Sequence, residues 1–189
     1  MLVKEMFYNG KIFVFFFLIF FFTEVNASNK EKIIENLKNT KNLIFNFEQN
    51  INGKIEKGNC TIEYDKKIFC KYLNNDKILV SNGKSLVIKS LSSYYIYPLD
   101  KTYLNLILDK NFLINKITFL EEVIKDTNYI NYNFFENENQ IEIFFDNTNY
   151  NLIGWQMLDI YQNLNITFIS SIKKNENIRK DLFNLPSQN

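Results

Sequence analysis

Apolar and polar residues alternate along most of this chain, which is the pattern of β-strands with one buried face. Two Asn-Gly pairs, at 52–53 and 82–83, are turn signals between such runs. Short strands joined by hairpin turns favour one antiparallel sheet that curls toward a barrel. The predicted strands are 43–49, two strands around a turn near Asp65, then 77–81, 85–88, 94–97, 131–134, 140–145, 152–158 and 163–172.

Helical spacing replaces this alternation in only a few places. Ile33, Ile34 and Leu37 recur at helical intervals and predict a helix over residues 28–40, with Ser28 as its N-cap and Glu31 completing a capping box. Residues 104–108 and 112–114 predict a helix or two short helical turns. These helices are apolar on one face, so we expect them to pack against the sheet.

The first 27 residues have the layout of a secretory signal peptide. Lys4 and Lys11 lie near the start, an eleven-residue apolar run follows at 12–22, and small residues end the segment at Ala27. A membrane-spanning anchor is the alternative, but a span needs about 20 apolar residues. We therefore expect cleavage after Ala27, which leaves residues 28–189 as a single secreted domain.

The two cysteines, Cys60 and Cys70, lie on either side of the predicted turn near Asp65. A hairpin centred there places them opposite each other, on the same face as Ile62 and Ile68, and cross-strand Cβ atoms lie about 4.5–5.5 Å apart. That separation is close to what a disulfide requires, and secreted proteins favour one. Two reduced buried thiols, or a register shifted by one residue, are the alternatives.

Composition excludes several classes of protein. The net charge is +1, whereas nucleic-acid binding needs a clustered basic surface, so no nucleic-acid partner is expected. The chain has no histidine, which removes Ser-His and Cys-His catalysis and the commonest metal ligand. Glu121-Glu122 with Asp109 resembles a carboxylate pair for glycoside chemistry, but a solvated helix face explains it better. We expect no enzymatic activity, no cofactor and no metal site.

Five short segments, in a fixed order along the chain, carry a resemblance to a known family. They are 45–49 (FNFEQ), 78–86 (ILVSNGKSL), 97–108 (beginning YPL), 154–159 (GWQMLD) and 182–186 (LFNLP). These resemble the F-x-Q first strand, the I-L-V-S-D-G-K-x-L hairpin, the entry to the internal helices, the G-W-x-x-x-D strand and the closing L-F-x-x-P of the outer-membrane lipoprotein carrier protein (LolA) family. Each match alone is weak, and their common order makes them more specific.

The resemblance implies an α+β fold and a carrier function. The fold is an incomplete, open antiparallel barrel of about 10–11 strands covered by a lid of short helices, with an apolar cavity between lid and sheet. A monomeric periplasmic carrier would hold the acyl chains of lipid-modified lipoproteins there. It would receive them from an inner-membrane lipoprotein-releasing ABC transporter and deliver them to an outer-membrane lipoprotein receptor.

Apolar residues on the predicted strands and lid are the candidate cavity wall, although aromatic strand residues more often form packed core. Phe69 is ambiguous, because alternation places it on the face opposite Cys70 whereas the resemblance places it in the cavity. The candidates are Phe45, Phe47, Ile62, Ile68, Phe69, Tyr72, Leu86, Leu104, Ile107, Leu108, Phe112 and Trp155.

One departure from the family pattern concerns how the lid closes. The family often has Arg-Pro in the turn before Phe69, and that arginine helps to latch the lid. Asp65-Lys66 stands there in this chain, so Lys66 or Lys67 is the candidate latch, although lysine lacks the planar fork of arginine.

Three other readings have distinct signatures. An outer-membrane receptor of the same fold would need cysteine at the first mature position, where Ser28 stands. Another periplasmic lipid or fatty-acid binding protein of the same fold is the alternative to a lipoprotein carrier, and identification of a copurified ligand by mass spectrometry would distinguish them. An esterase or glycosidase would have to act without histidine.

Overall fold

The computed structural model of the protein describes residues 27–126, 129–136, 138–159 and 161–188. Residues 1–26 of the predicted signal peptide lie outside these ranges. Within them, the chain forms three α-helices, one 3₁₀ turn and eleven β-strands. The helices are α1 (Asn29–Asn39), α2 (Leu104–Leu108) and α3 (Lys110–Phe119), with the 3₁₀ turn at Leu99–Lys101. The strands are β1 (Asn42–Ile51), β2 (Lys54–Glu63), β3 (Lys67–Tyr72), β4 (Ile78–Asn82), β5 (Ser85–Lys89), β6 (Tyr94–Pro98), β7 (Val123–Asp126), β8 (Tyr129–Glu136), β9 (Asn139–Asp146), β10 (Leu152–Leu158) and β11 (Leu164–Lys174).

All eleven strands belong to one antiparallel sheet with the order β6-β5-β4-β3-β2-β1-β11-β10-β9-β8-β7. Every neighbouring pair except β1–β11 is a hairpin of consecutive strands; β1–β11 joins the two halves. The sheet ends at β6 and β7, which do not pair with each other within the described residues. The predicted open antiparallel barrel of about 10–11 strands with few short helices is therefore confirmed.

The segment between these two sheet ends is the lid, which we define as residues 99–119. Its helices α2 and α3 place Ile107, Leu108, Leu113 and Ile117 in the core with no exposed surface. These side chains pack in one cluster with the inward residues of the strands and with Ile33 and Leu37 of α1. Helix α1 also contacts α3. No helix of the described residues is long and apolar enough to cross a membrane.

Local sequence signals account for several element boundaries. Ser28 caps α1 and Glu31 returns a hydrogen bond to its backbone, as the capping box predicts. Asn52 and Gly53 both have positive φ in the β1–β2 turn. Two elements exceed the prediction most: β2 begins at Lys54, six residues before Cys60, and α3 continues to Phe119. Strand β7 was not predicted.

The β2–β3 hairpin has the predicted register. Cys60 is opposite Cys70 and Ile62 is opposite Ile68. The two cysteines form a disulfide with their Cα atoms 4.1 Å apart. The predicted disulfide is confirmed, and the alternatives of free thiols or a shifted register are wrong.

The C-terminal residues 176–188 cover the outward face of the β3–β6 region. Phe183 is buried there, with the ammonium group of Lys67 5.7 Å from its ring. The hydroxyl of Tyr94 donates to the carbonyl of Pro186 at 3.2 Å. On the same face, Val80 and Val87, which alternate with the inward-facing Leu79 and Leu86, are almost completely buried. The closing LFNLP segment is thus a cover on the outside of the sheet.

Candidate functional site

A cavity of about 330 Å³ lies between the inward face of the sheet and the start of the lid. This volume is at the lower end of the range of about 300–1,000 Å³ that ligand pockets occupy. Most of its surface is apolar. The lining residues come from eight strands, the turns beside them and the lid: Phe45, Phe47, Gln49, Ile51, Cys60, Ile68, Cys70, Tyr72, Lys77, Leu79, Leu86, Ile88, Ser93, Tyr95, Thr102, Tyr103, Leu104, Trp155, Met157, Leu158, Asp159, Tyr161, Asn165 and Thr167.

Alternation along each strand positions these side chains. In β1, Phe45, Phe47 and Gln49 occur at every second residue and point to the same face. The ring of Phe47 packs edge-on against that of Tyr72, with centroids 5.0 Å apart. The Cys60–Cys70 disulfide joins β2 to β3 and forms part of the wall. The bond therefore fixes the wall and the hairpin together.

The structure places seven of the twelve candidate cavity residues in the wall: Phe45, Phe47, Ile68, Tyr72, Leu86, Leu104 and Trp155. Ile62, Ile107 and Leu108 lie instead in the packed core, with no exposed surface. Phe112 packs on the edge of that core, its ring 5.9 Å from the ring of Phe134. These four residues support the wall from behind.

Phe69 faces away from the cavity. It is opposite Thr61 on β2 and Val80 on β4, and Val80 is outward-facing and covered by the C-terminal residues. Alternation along β3 therefore decided its position, and the family-based placement of Phe69 in the cavity is incompatible with this register.

Several wall residues were not among the candidates. Ile51 continues the β1 face of Phe47 and Gln49 by two residues, and Met157 follows Trp155 by two residues in β10. Alternation could have identified both. Tyr95 lies within β6, where alternation also applies, whereas Lys77 and Tyr161 lie between strands, where alternation gives no signal.

A charged cluster occupies one side of the cavity, around Glu56 on β2. This carboxylate is 7% exposed, and it pairs with Lys77 and, at 3.1 Å, with Lys54. Gln49 donates to it at 3.0 Å. Burial by itself would raise the pKa of Glu56, but the hydrogen bonds from Lys77 and Lys54 and the charge of Lys77 outweigh it and lower the pKa.

Lys77 is held on two sides. Its ammonium group lies 3.8 Å from the centre of the Tyr72 ring, within cation–π distance, while it also contacts Glu56. Burial, and after it the charge of Glu56, raise the pKa of the Tyr72 hydroxyl, which accepts a hydrogen bond from Gln49 at 3.3 Å. The result is a positive charge fixed in the cavity wall.

The cavity opens to solvent between β6 and the β10–β11 turn. Tyr95 and Tyr161 line it and are both about half exposed, at 47% and 58%. The hydroxyls of Tyr97 and Tyr161 lie 3.2 Å apart across this opening. Burial, then the hydrogen bond and charge of Tyr161, raise the pKa of Tyr97 to about 12. We call this side of the cavity the mouth.

The lid is held to the sheet on the side away from the mouth. The ammonium group of Lys66, in the β2–β3 turn, lies 3.0 Å from the carboxylate of Asp109 between α2 and α3. The backbone N–H of Lys66 donates to the carbonyl of Leu108 at 3.0 Å. Asp109 in turn caps α3 by accepting from the N–H of Phe112. Lys67 pairs with Glu63 in its own hairpin and has no such contact to the lid.

The wall offers binding surface more than reactive chemistry. Within the described ranges no three side chains of His, Cys, Asp or Glu type come together as they would to hold a metal ion. Asp109, the carboxylate considered for glycoside chemistry, is used as a helix cap and as the partner of Lys66. What remains is an apolar cavity under a helical lid, with the charged side chains of Lys77 and Asp159 in its wall.

Several proteins of known structure resemble this architecture, all at low sequence identity. No protein-family model and no curated protein matches the chain. Similar solved structures include a LolA superfamily protein from Nitrosomonas europaea, with 7% identity, 84% of this chain and 99% of that chain covered, and a TM-score of 0.45. An uncharacterized conserved protein from Thermus thermophilus matches with 7% identity, coverage of 85% and 96%, and a TM-score of 0.49.

A third likeness is to Pseudomonas aeruginosa MucB in its complex with MucA. The identity is 11%, the TM-score is 0.40, and the match covers 85% of this chain but 62% of that one. Identities and TM-scores this low do not establish membership of a family.

Proposed function

We propose that this chain is a periplasmic carrier that binds the acyl chains of lipid-modified proteins in the cavity between sheet and lid. The apolar cavity, closed by helices that are held to the sheet at Lys66, carries this proposal. Each methylene transferred from water into such a cavity gains about 0.8 kcal/mol. A protein that carries several long acyl chains needs this shelter to cross an aqueous compartment.

Two features of the chain support a periplasmic location. The layout of residues 1–27 is typical of a secretory signal peptide, and the Cys60–Cys70 disulfide is typical of an oxidising compartment. In this proposal the protein acts as a monomer and takes lipoproteins from an inner-membrane lipoprotein-releasing ABC transporter. It passes them to an outer-membrane lipoprotein receptor without a catalytic step or a cofactor.

The first test of this proposal is occupancy of the cavity. A neutral polarity-sensitive dye should bind the secreted protein, and an acylated lipopeptide should displace it while the same peptide without acyl groups should not. Ile88 lines the cavity, so the larger side chain of Ile88→Trp should occupy the cavity and abolish dye binding. Ile96→Trp is the matched control, because Ile96 lies on the neighbouring strand, faces outward and is 55% exposed.

The second test is transport. With a matched transporter, the protein should release lipoproteins from inner-membrane vesicles in soluble form. If Ile96→Trp retains this release and Ile88→Trp loses it, the cavity is the carrier site. Dye binding without any lipoprotein release would contradict the carrier function and leave the lipid-binding alternative.

That alternative, a periplasmic lipid or fatty-acid binding protein of the same fold, is favoured by two observations. The cavity volume is at the low end for ligand pockets, which suits one chain better than several. The charged side chain of Lys77 lies in the cavity wall, and a purely apolar cargo would make no favourable interaction with this charge. Mass spectrometry of lipid that copurifies with the protein distinguishes the two functions.

A further inference from the structure

The charged cluster in the cavity wall has more positive than negative charge. Two lysines, Lys54 and Lys77, share the single carboxylate of Glu56. Lys54 is 74% exposed and lies in solvent, whereas Lys77 is 22% exposed and lines the cavity. A buried carboxylate needs one cation for compensation. The second cation is surplus to that need.

The position of Lys77 suits the polar end of an amphiphile. It lies directly before β4, which begins at Ile78, so it is at the same end of the sheet as the β1–β2 turn and the mouth. Farther along the same inward face, the wall consists of Phe47, Cys60 and Phe45. An alkyl chain that extends from Lys77 along this face would reach these apolar side chains.

The other charged group in the wall is the carboxylate of Asp159, and this carboxylate is not free. Asp159 lies at the mouth, but its oxygens are engaged in the β10–β11 turn. They accept from the N–H of Tyr161 at 2.8 Å, from the N–H of Asn163 at 2.9 Å and from the side-chain amide of Asn163 at 3.2 Å. The carboxylate is thus satisfied by its own turn.

We propose that the cavity takes a single alkyl chain with an anionic end group, and that Lys77 binds this end group beside the Tyr72 ring. The inference rests on the proposed function, because it assumes that the cavity binds acyl chains. It narrows the ligand to a long-chain carboxylate or phosphate ester. Charge-assisted hydrogen bonds are about twice as strong as neutral ones, which gives the end group a measurable effect.

The test compares three ligands that share one alkyl chain. Hexadecanoate, hexadecyl phosphate and the uncharged methyl hexadecanoate compete with a neutral polarity-sensitive dye for the secreted protein. We expect each anion to bind about tenfold more tightly than the ester. The ratio between hexadecanoate and hexadecyl phosphate identifies which of the two end groups is preferred.

Two variants connect this preference to Lys77. Glu56→Gln removes the competing carboxylate and should increase the preference for the anions by a further about threefold to tenfold. Adding Lys77→Met to Glu56→Gln should reduce the preference to about one. This double variant leaves no buried unpaired carboxylate, so it is expected to fold, and Lys54→Met serves as the control for a lysine outside the wall.

Each outcome decides something. Equal binding of ester and anions by the unmodified protein, or an anion preference that survives in the double variant, would overturn the role of Lys77 while leaving acyl binding intact. If Lys77 serves only as the partner of Glu56, the unmodified protein should bind the ester and the anions equally. Failure of all three ligands and of the dye to bind would contradict the proposed function itself.

Discussion

Lys66 and Lys67 are adjacent in sequence, yet their ammonium groups contact different parts of the molecule. Lys66 has a positive φ of 72° at the turn, which directs its side chain to Asp109 of the lid. Lys67 is the first residue of β3 and contacts Glu63 and the ring of Phe183. The family resemblance placed the candidate latch in this turn, and only the turn geometry distinguishes the lysine that contacts the lid from the one that does not.

Replacing Lys66 by methionine is expected to loosen the lid. The Lys66–Asp109 pair is partly exposed, so its loss should cost only about 0.5–1 kcal/mol of stability. The same loss should increase the dissociation rate of a bound dye about twofold to fivefold, as stopped-flow fluorescence would measure. The backbone bond from Lys66 to Leu108 is retained in this variant.

Lys67→Met is the matched control for the latch, because it removes a charge from the same turn without touching the lid. Its dye dissociation rate should equal that of the unmodified protein. Equal dissociation rates in both variants would show that the Lys66–Asp109 pair does not hold the lid.

Residue-scale placement could be predicted where alternation applies and not elsewhere. Phe45, Phe47 and Trp155 were placed in the wall because inward-facing strand positions repeat every second residue. Ile62 satisfies the same rule, but it lies beneath the helices and is packed as core. Alternation gives the face of a side chain, whereas its distance from the lid depends on the whole fold.

Gly154 illustrates a residue whose role becomes visible only at the outward face. A Cβ at this position would lie 2.4 Å from the backbone carbonyl of Thr167 and close to the rings of Phe144 and Phe168. Those two rings stack with centroids 5.5 Å apart. The glycine of the GWQMLD segment is therefore required by close strand and aromatic packing, next to the cavity residue Trp155.

At the scale of elements, the β2–β3 hairpin was predicted best because every local signal agreed. The turn residues, the alternation and the cysteine spacing all gave one register. Helix α3 was underestimated because its apolar residues do not form a single buried stripe: Leu113 and Ile117 are buried, whereas Phe119 is 80% exposed. Strand β7 has only four residues, too few for an alternation pattern.

Reduction of the Cys60–Cys70 disulfide should destabilise the protein measurably. The bond closes a loop with a sequence separation of 10, for which chain entropy gives about 2–3 kcal/mol. The free energies of unfolding measured in urea with and without reductant should therefore differ by that amount, with the lower midpoint in the reduced protein.

A Cys60→Ala, Cys70→Ala double variant should unfold at the midpoint of the reduced protein and should not respond to reductant. Both cysteines also line the cavity, so dye affinity should fall with the loss of this part of the wall. Identical unfolding midpoints in oxidised and reduced protein would contradict a stabilising role for the bond.

At the scale of the whole molecule, the lid helices fill the interior of a sheet whose two end strands do not pair among the described residues. These end strands, β6 and β7, are connected in sequence by the lid. The strand order, with β1 beside β11, brings the two halves of the chain together and could not be derived from local patterns. The mouth is a consequence of that order, since it forms where β6 approaches the β10–β11 turn.

The hydrogen bond between Tyr97 and Tyr161 is the direct connection across this mouth, and we expect it to control exchange of the ligand. A hydrogen bond contributes about 0.5–1.5 kcal/mol net, so Tyr161→Phe should accelerate dye dissociation about twofold to tenfold. Because the pKa of Tyr97 is raised to about 12, its hydroxyl stays protonated where an ordinary tyrosine, with a pKa of about 10, ionises. Slow dissociation should therefore persist above pH 10 and be lost only as the pH approaches about 12.

Tyr94→Phe is the control that separates the mouth from the rest of β6. It removes a tyrosine hydroxyl from the same strand, but that hydroxyl donates to Pro186 on the outside of the sheet. Its dissociation rate should match that of the unmodified protein. If Tyr94→Phe accelerates dissociation as much as Tyr161→Phe does, ligand exchange depends on the general stability of β6 and not on a contact across the mouth.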